Sequence, residues 1–416
     1  MSDNYVPFAR PDIDEADIQA VAETLRSGWI TTGPKTHEFE EELRAYLGTD
    51  HAVAVNSCTA ALHLALEAMQ VGPGDEVITS PYTFASSGEV IRYLGATPVF
   101  ADISSEDLNL DPAQVEAAIS PRTKAIMPVH IAGKACDLDA LYAVASRHRL
   151  SVVEDSAHAL PTSYAGKRIG TPPDRARFPE LRHHACCFSF YATKTLTTGE
   201  GGMLTTDDEA IARQVRMMAL HGLSGDAWKR YGRGGSWYYE ILQPGYKYNL
   251  TDIAAALGLS QLRKLEKMRD QRAVIATRYV DAFQDCPVLQ LPVLDEIDAH
   301  AIHLFTLRLH LDQLDIDRAA FIEEMRKQGV ACSVHFIPLH THPYYREKYG
   351  YHPEDYPVAY QEYQREVSLP IYSSMTTAQV ETVCQAVLSI CRQHAGKRQT
   401  SVQEKVGGAE NGAGDL

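Results

Sequence analysis

Between Glu76 and Glu154 the chain alternates short apolar runs with helix-like stretches. Glu76 to Thr79, Thr97 to Ala101, Thr123 to His130 and Leu150 to Glu154 read as strands. Phe84 to Leu94, Pro112 to Ile119 and Leu138 to His148 read as the helices between them. Strands this short, separated by helices, form βαβ units in which each strand returns parallel to the last. The pattern predicts an α/β fold with a mostly parallel central sheet and flanking helices. Ligands of such sheets lie beyond the carboxyl ends of the strands. Tyr82-Thr83-Phe84, Asp155 and Ser189 each follow a predicted strand, so one region should hold all of them.

The flanking chain extends this plan. Glu15 to Arg26 is a short amphipathic segment ending at Gly28, Lys35 to Leu47 reads as a helix, and Ala52 to Val55 as a strand. Ala185 to Tyr191 and Met203 to Thr206 read as further strands, and Asp208 to Leu220 as a helix. His221 to Tyr248 is a glycine- and aromatic-rich loop. Loops this long in a compact domain are functional or disordered, and Trp228, Trp237, Tyr238 and Tyr239 favour packing against something. Thr251 to about Phe283 reads as one long helix. Then the pattern changes to strand, helix, strand at Ala301 to Leu309, Asp317 to Gln328 and Ala331 to Phe336, with two more elements near Tyr356 to Arg365 and Thr377 to Arg392. The expected organisation is an N-terminal segment at 1–28, a large domain at 29–284, a smaller C-terminal α/β domain at 285–396, and a glycine-rich disordered tail at 397–416.

Composition narrows the function classes. No apolar stretch approaches the roughly 20 residues that span a bilayer, and Met1 to Arg10 lacks the basic-then-apolar order of a signal peptide. A net charge of −15 argues against a general nucleic-acid-binding surface, while leaving room for a local basic pocket for a small anion. Eight scattered cysteines suggest reduced thiols and a cytoplasmic protein. His183-His184 and Cys186-Cys187 match no structural zinc spacing, and Cys187 falls inside a predicted strand, so no metal is expected.

Three places carry chemistry. Lys194 follows the apolar run that ends at Tyr191 and precedes Gly199-Glu200-Gly201-Gly202. An amine carried off a buried strand is poorly solvated, which lowers its pKa and makes it a better nucleophile toward carbonyls; an ordinary loop lysine beside a glycine turn is the other reading. Asp155 ends an apolar strand, and a carboxylate there needs a partner. A backbone amide or a pyridinium nitrogen would serve equally. Asn56-Ser57-Cys58-Thr59-Ala60-Ala61-Leu62 sets small and hydroxylated residues at a strand-to-helix turn, which suits a phosphate or a simple N-cap.

Taken in order, several motifs resemble the DegT/DnrJ/StrS sugar aminotransferases, pyridoxal-phosphate enzymes of the aspartate-aminotransferase fold type. They are Trp29-Ile30-Thr31-Thr32-Gly33-Pro34, Thr59-Ala60-Ala61-Leu62-His63, Glu154-Asp155-Ser156-Ala157-His158, Phe188-Ser189-Phe190 with Lys194, and Gly199-Glu200-Gly201-Gly202. Gly245-Tyr246-Lys247-Tyr248-Asn249-Leu250-Thr251-Asp252 and Ser368-Leu369-Pro370 extend the match, which runs from about Pro7 to Arg392.

The resemblance implies pyridoxal 5'-phosphate as cofactor. Lys194 would bond to it as the internal aldimine and later shuttle the proton. Asp155 would pair with the pyridine nitrogen, Phe84 would stack on the ring, and His158 would lie near the ring hydroxyl. Thr59, the Ala60 amide and Ser189 would hold the phosphate. A homodimer with an active site shared across its interface is also implied. Many relatives have Asn-Tyr-Arg where this chain has Lys247-Tyr248-Asn249, so either Lys247 or Asn249 would reach the phosphate of the neighbouring subunit.

With His221-Gly222-Leu223 and Asp226-Ala227-Trp228-Lys229-Arg230-Tyr231, this variant is most similar to members that aminate a 4-keto sugar nucleotide. Among named types it resembles the UDP-4-amino-4-deoxy-L-arabinose aminotransferase of lipid A modification. His335 and His340 would then contribute to the sugar pocket. The expected reaction is a ping-pong transfer from L-glutamate to a keto sugar nucleotide, in amino-sugar or surface-glycan biosynthesis. Amination of a 3-keto dTDP-sugar and a non-catalytic regulatory role are the alternatives. A sugar 3-dehydratase is disfavoured, because relatives of that kind lack the lysine.

Overall fold

The computed structural model describes residues 5–224 and 239–396. Trp228, Trp237, Tyr238, the Asp226 to Tyr231 motif and the 397–416 tail lie outside the described residues.

Seven strands form the main sheet: β1 (His51–Val55), β2 (Glu76–Thr79), β3 (Thr97–Phe100), β4 (Thr123–Met127), β5 (Ser151–Asp155), and, past the small hairpin of β6 (Ser163–Tyr164) and β7 (Lys167–Arg168), β8 (His184–Ser189) and β9 (Gly202–Thr206). Their spatial order is β1-β9-β8-β5-β4-β2-β3. Four of the six pairings are parallel, and only β9 runs against the rest. This is the mostly parallel sheet that the alternating pattern predicts. Both faces are covered, so successive residues of β5 enter different cores: Val152 packs into one and Val153 into the other.

A second sheet of β10 (Leu289–Gln290), β11 (Phe305–Leu309) and β12 (Glu366–Leu369) is antiparallel throughout. Its core includes Phe321, Val383 and Val387, and also draws in Ile275, Tyr279, Phe283 and Val6. The helix Leu265–Phe283 thus ties the two sheets together. Among the described residues no helix is long and apolar enough to cross a membrane.

Two expectations from the sequence need correction. Thr251 to Phe283 is two helices, Asp252–Arg263 and Leu265–Phe283, broken at Lys264. No glycine or proline marks the break. It coincides with tertiary bonds, because the Lys264 ammonium is held by Asp14 at 2.9 Å and buried Asp17 at 2.7 Å. Ala331 to Phe336 is not a strand. It makes a single bridge, Ser333 to Ser368, while Ser333, His335 and Phe336 line a cavity and Cys332 packs against the core of the second sheet. The strand that does pair with β11 is β12, further along.

The 171–184 stretch feeds His184 into β8, where its Nε2 lies 2.7 Å from Glu154, while His183 Nδ1 lies 2.9 Å from Asp208. These histidines serve carboxylates of the fold.

Candidate active site

Four strand ends meet at one edge of the main sheet. Asp155 ends β5 and Ser189 ends β8, the adjacent parallel strand. Gly202 opens β9 opposite both Ser189 and Val55, so the turn after β1 arrives at the same place. That turn begins the helix Cys58–Ala68, capped by the Ser57 hydroxyl. Closeness is enforced by a glycine: a Cβ on Gly202 would stand 2.4 Å from the Ser57 carbonyl carbon and 2.6 Å from the Cys58 nitrogen.

Above this edge lies a cavity of about 640 Å³, a size that suits a small-molecule site. Thr59, Phe84, Asp155, His158, Ser189 and Lys194 line it from the main sheet. Phe8, His303, Ser333, His335 and Phe336 close it from the other side.

Lys194 sits in the turn between β8 and β9. Its amide donates to the Tyr191 carbonyl at 2.9 Å, and among the described residues its amine has no hydrogen-bond or ion-pair partner. Burial lowers its pKa to about 8, against the opposing influence of Cys58 and Asp155. A fraction of the amine is therefore unprotonated and nucleophilic near neutrality.

Asp155 is almost fully enclosed. Its Oδ2 accepts the Ser87 hydroxyl at 2.7 Å and its Oδ1 accepts the Ala157 amide at 3.2 Å. Burial raises its pKa, and those two donors together with Lys194 pull the other way. Such a carboxyl gains from a cation placed against it. One residue earlier, Glu154 points to the opposite face and binds His130 at 3.0 Å, His184 at 2.7 Å and the Tyr142 hydroxyl. Burial alone would raise the Glu154 carboxyl, but the two histidines hold it well below the usual carboxylate range.

The remaining side chains form walls and cradle. Phe84 caps the helix Ala85–Tyr93 in an extended conformation and leaves its side chain 63% exposed, with its ring 6.2 Å from Phe336. His158 stacks on Phe336 at 5.8 Å and lies against His303 at 4.3 Å. Among the described residues Nδ1 of both histidines is enclosed without a partner, and burial pushes both rings well below the ordinary histidine pKa. Ser57, Thr59 and Ser189 bring hydroxyls to the helix N-terminus.

Not every expected residue faces the cavity. The Ala60 amide is already given to Ser57 Oγ at 3.1 Å, so the free donors of the cradle lie elsewhere in the turn. Lys247 and Asn249 run beside the cradle, where Val55 bridges Asn249 and the Asn56 amide donates to the Tyr248 carbonyl at 2.7 Å. Their side chains bond to each other, and Asn249 also donates to Thr32 at 2.6 Å. His340 belongs to the packing. It is fully buried, with Nε2 against the Pro353 carbonyl at 3.1 Å and its ring on Tyr356 at 4.8 Å, which removes it from the sugar-pocket expectation.

Sequence reasoning missed Ser87, His303 and Ser57. Ser57 was visible as an N-cap, but Ser87 and His303 carry no local signal, since tertiary packing brings them in.

A partnerless amine, a buried carboxylate short of a cation, an exposed aromatic face and a ring of hydroxyls at a helix N-terminus fit pyridoxal phosphate. They do so by the chemistry of its aldehyde, ring nitrogen, ring face and phosphate. Fold and site together define a fold-type-I pyridoxal-phosphate aminotransferase.

The chain belongs to the DegT/DnrJ/EryC1/StrS aminotransferase family, whose model matches residues 11–388. It is 50% identical over 390 residues to the spore coat polysaccharide biosynthesis protein SpsC of Bacillus subtilis (strain 168), covering 94% of this chain and 98% of that one. The sugar aminotransferase Spr1654 of Streptococcus pneumoniae in its PMP form superposes with a TM-score of 0.85 at 36% identity, covering 93% of this chain and 99% of that chain. The same protein in its PLP form gives 0.84 at 35% identity, covering 94% and 99%. Helicobacter pylori PseC, an aminotransferase of pseudoaminic acid biosynthesis, gives 0.84 at 30% identity, covering 94% and 100%. The protein is a pyridoxal-phosphate-dependent sugar aminotransferase.

Proposed function

We propose that the enzyme moves the amino group of L-glutamate onto C4 of a 4-keto UDP-sugar, supplying an amino sugar for a surface polysaccharide. The observation that carries this reading is the Lys194 amine, which has no hydrogen-bond or ion-pair partner among the described residues, beside Asp155 in a cavity walled by His335 and Phe336. The spore-coat role printed for SpsC and the pseudoaminic acid role printed for PseC support a surface-glycan setting. So does the similarity of the Lys247-Tyr248-Asn249 segment to members that aminate 4-keto sugars.

When bound, the cofactor supplies an electron sink for the pair released as the substrate C–H bond breaks. The chain supplies the rest. Asp155, fixed by Ser87 and the Ala157 amide, holds a proton on the ring nitrogen. Lys194 Nζ takes the proton from the substrate carbon and returns it elsewhere. Phe84 covers one ring face and excludes water from it. Ser57, Thr59, Ser189 and the amides opening the helix bind the phosphate. His158 orients the ring hydroxyl, and His335, Ser333 and Phe336 seat the sugar. Glutamate leaves as 2-oxoglutarate before the keto sugar enters.

The working unit in this reading is a cytoplasmic homodimer. Phe84 and Lys247 are exposed in the single chain, and either Lys247 or Asn249 reaches the phosphate of the neighbouring site. No role for nucleic acid or membrane enters the reaction.

The test is a panel of 3-keto and 4-keto UDP- and dTDP-sugars with glutamate, read by mass spectrometry. A UDP-4-amino-sugar product is expected. Amination of 3-keto dTDP-sugars alone would overturn the substrate assignment, and turnover by Lys194→Ala would overturn the site.

A further inference from the structure

The cavity wall nearest the second sheet ends in a chain of three side chains. His335 Nδ1 lies 2.9 Å from Ser368 Oγ, and Ser368 Oγ lies 2.5 Å from Glu366 Oε1. The His335 backbone amide donates to the other oxygen, Glu366 Oε2, at 2.9 Å. Glu366 and Ser368 are two residues apart on β12, hence on one face, and both are fully buried. The loop bearing His335 is therefore clamped through both its main chain and its ring. Phe8 stacks on that ring at 5.4 Å. His335 lines the cavity, and among the described residues its Nε2 has no hydrogen-bond partner.

A serine hydroxyl carries one proton, so Ser368 can donate to Glu366 or to His335 but not to both. The imidazole tautomer follows from that choice. With Glu366 ionised, Ser368 donates to the carboxylate and accepts from Nδ1–H, which leaves Nε2 bare. With Glu366 protonated, the acid donates to Ser368, Ser368 donates to Nδ1, and the ring proton sits on Nε2. Burial pushes Glu366 up to about 8, so the acid form prevails at neutral pH. The charged groups facing it are Arg308, its cross-strand neighbour on β11, and Arg318. Tyr82 and Cys332 are the other titratable groups that feel it, and Glu362 offsets Arg308. His335 itself is pushed down to about 4 by burial and the Lys194 charge, and faces His303 and His158 as neutral rings.

We propose that Glu366 and Ser368 are positioning residues that hold His335 with its Nε2–H facing the cavity, as a hydrogen-bond donor to an oxygen of the sugar substrate. The sugar contact rests on the reading of this cavity as the sugar pocket; the relay does not. Every bond in the chain then runs one way, from Glu366 Oε1–H to Ser368 Oγ, from Ser368 Oγ–H to His335 Nδ1, and from Nε2–H outward.

The test is the ring-nitrogen NMR spectrum of ¹⁵N-histidine-labelled holoenzyme, with His335 assigned by its loss in His335→Asn. At pH 7 the expected signal is a protonated Nε2 and a bare Nδ1, reversing above about pH 8 as Glu366 ionises. In Glu366→Gln the side-chain amide can donate to Ser368 while its carbonyl accepts from the His335 amide, so the Nε2–H form should persist through the alkaline range. In Ser368→Ala the two tautomers should mix, and kcat/KM for the keto sugar should fall about tenfold, the scale of one hydrogen bond. A bare Nε2 in the wild type at pH 7, or a Ser368→Ala spectrum identical to wild type, overturns the relay. The wild-type spectrum needs only the assigning substitution, His335→Asn or, should that fail to fold, His335→Gln, so a Glu366→Gln or Ser368→Ala protein that fails to fold still leaves the relay decided. Unchanged kcat/KM for the keto sugar in both Ser368→Ala and His335→Asn overturns the sugar contact. A wild-type enzyme that aminates no keto sugar overturns the substrate reading and the contact with it, while the spectrum still decides the relay.

Discussion

Ser87 donates its hydroxyl to Asp155 Oδ2 at 2.7 Å, from a helix more than sixty residues earlier in the chain. Ser87 is fully buried and paired with Thr83 at 2.8 Å, so the donor is held in place. Ser87→Ala removes the closest donor to this carboxyl, one of the groups that hold its pKa down against burial, and the Asp155 pKa should rise further. Hydrogen bonds to charged groups contribute about 1.5–3 kcal/mol. Pyridoxal-phosphate affinity should fall by roughly one to two powers of ten, measured by cofactor titration of the apoenzyme. Wild-type affinity in Ser87→Ala would remove Ser87 from the site.

Lys194 attacks the cofactor aldehyde only as the free amine. Since its pKa is lowered to about 8, the free fraction rises as pH increases and levels above that value. The rate of holoenzyme formation from apoenzyme should follow the same curve, rising from pH 6 to about pH 8 and then flattening. Stopped-flow absorbance at several pH values reads this directly. A rate still climbing steeply at pH 10 would mean an amine with ordinary lysine basicity.

Glu154 binds two histidines and a tyrosine in the core behind Asp155. Breaking such a buried network by removing its charge costs about 3–5 kcal/mol, so Glu154→Ala should melt well below wild type in calorimetry. Because the folded-state pKa is depressed, the carboxylate stabilises the fold fully above the unfolded value of 4.5, and that contribution is lost as pH falls through the lower folded value. Glu154→Gln should therefore be less stable at pH 7 and show a flatter acid limb below pH 4.5. An acid limb as steep as wild type would count against Glu154.

Gly202 lets β9 touch the turn that opens the helix Cys58–Ala68. An alanine there would set its Cβ 2.4 Å from the Ser57 carbonyl carbon, with backbone on both sides and nothing flexible to move. Overpacking of this kind costs about 1–3 kcal/mol. Gly202→Ala should lower the melting temperature, and it should weaken inorganic phosphate or cofactor binding by displacing the cradle. Unaltered cofactor affinity would separate the glycine from the site.

His340 gives the contrasting case. Its Nε2 is spent on the Pro353 carbonyl and its ring on Tyr356. His340→Ala should lower stability by about 2 kcal/mol, seen as a lower denaturation midpoint, with KM for the keto sugar unchanged. A raised KM at unchanged stability would return His340 to the sugar pocket.

Much of this site is legible in the sequence. Lys194 and Asp155 stand at the ends of apolar strands, and the helix opening at Ser57 is marked by its cap; each is a local pattern of burial and polarity. Hence the parallel sheet and its active edge follow from the order of residues, as hydrophobic periodicity and the handedness of βαβ units allow few other arrangements.

Long-range contacts settled the rest. Lys264 breaks a helix that local propensity would continue, because Asp14 and Asp17 reach it from 250 and 247 residues away. Ala331 to Phe336 has the composition of a strand, but its one bridge to β12 leaves Ser333, His335 and Phe336 to the cavity. His335 and His340 look alike in sequence. One ends on a buried Ser368–Glu366 pair beside the cavity and the other under Tyr356. Local sequence specifies periodicity, caps and turns over a few residues. The partner of a buried side chain depends on which distant segment packs against it, and only folding brings that segment into contact.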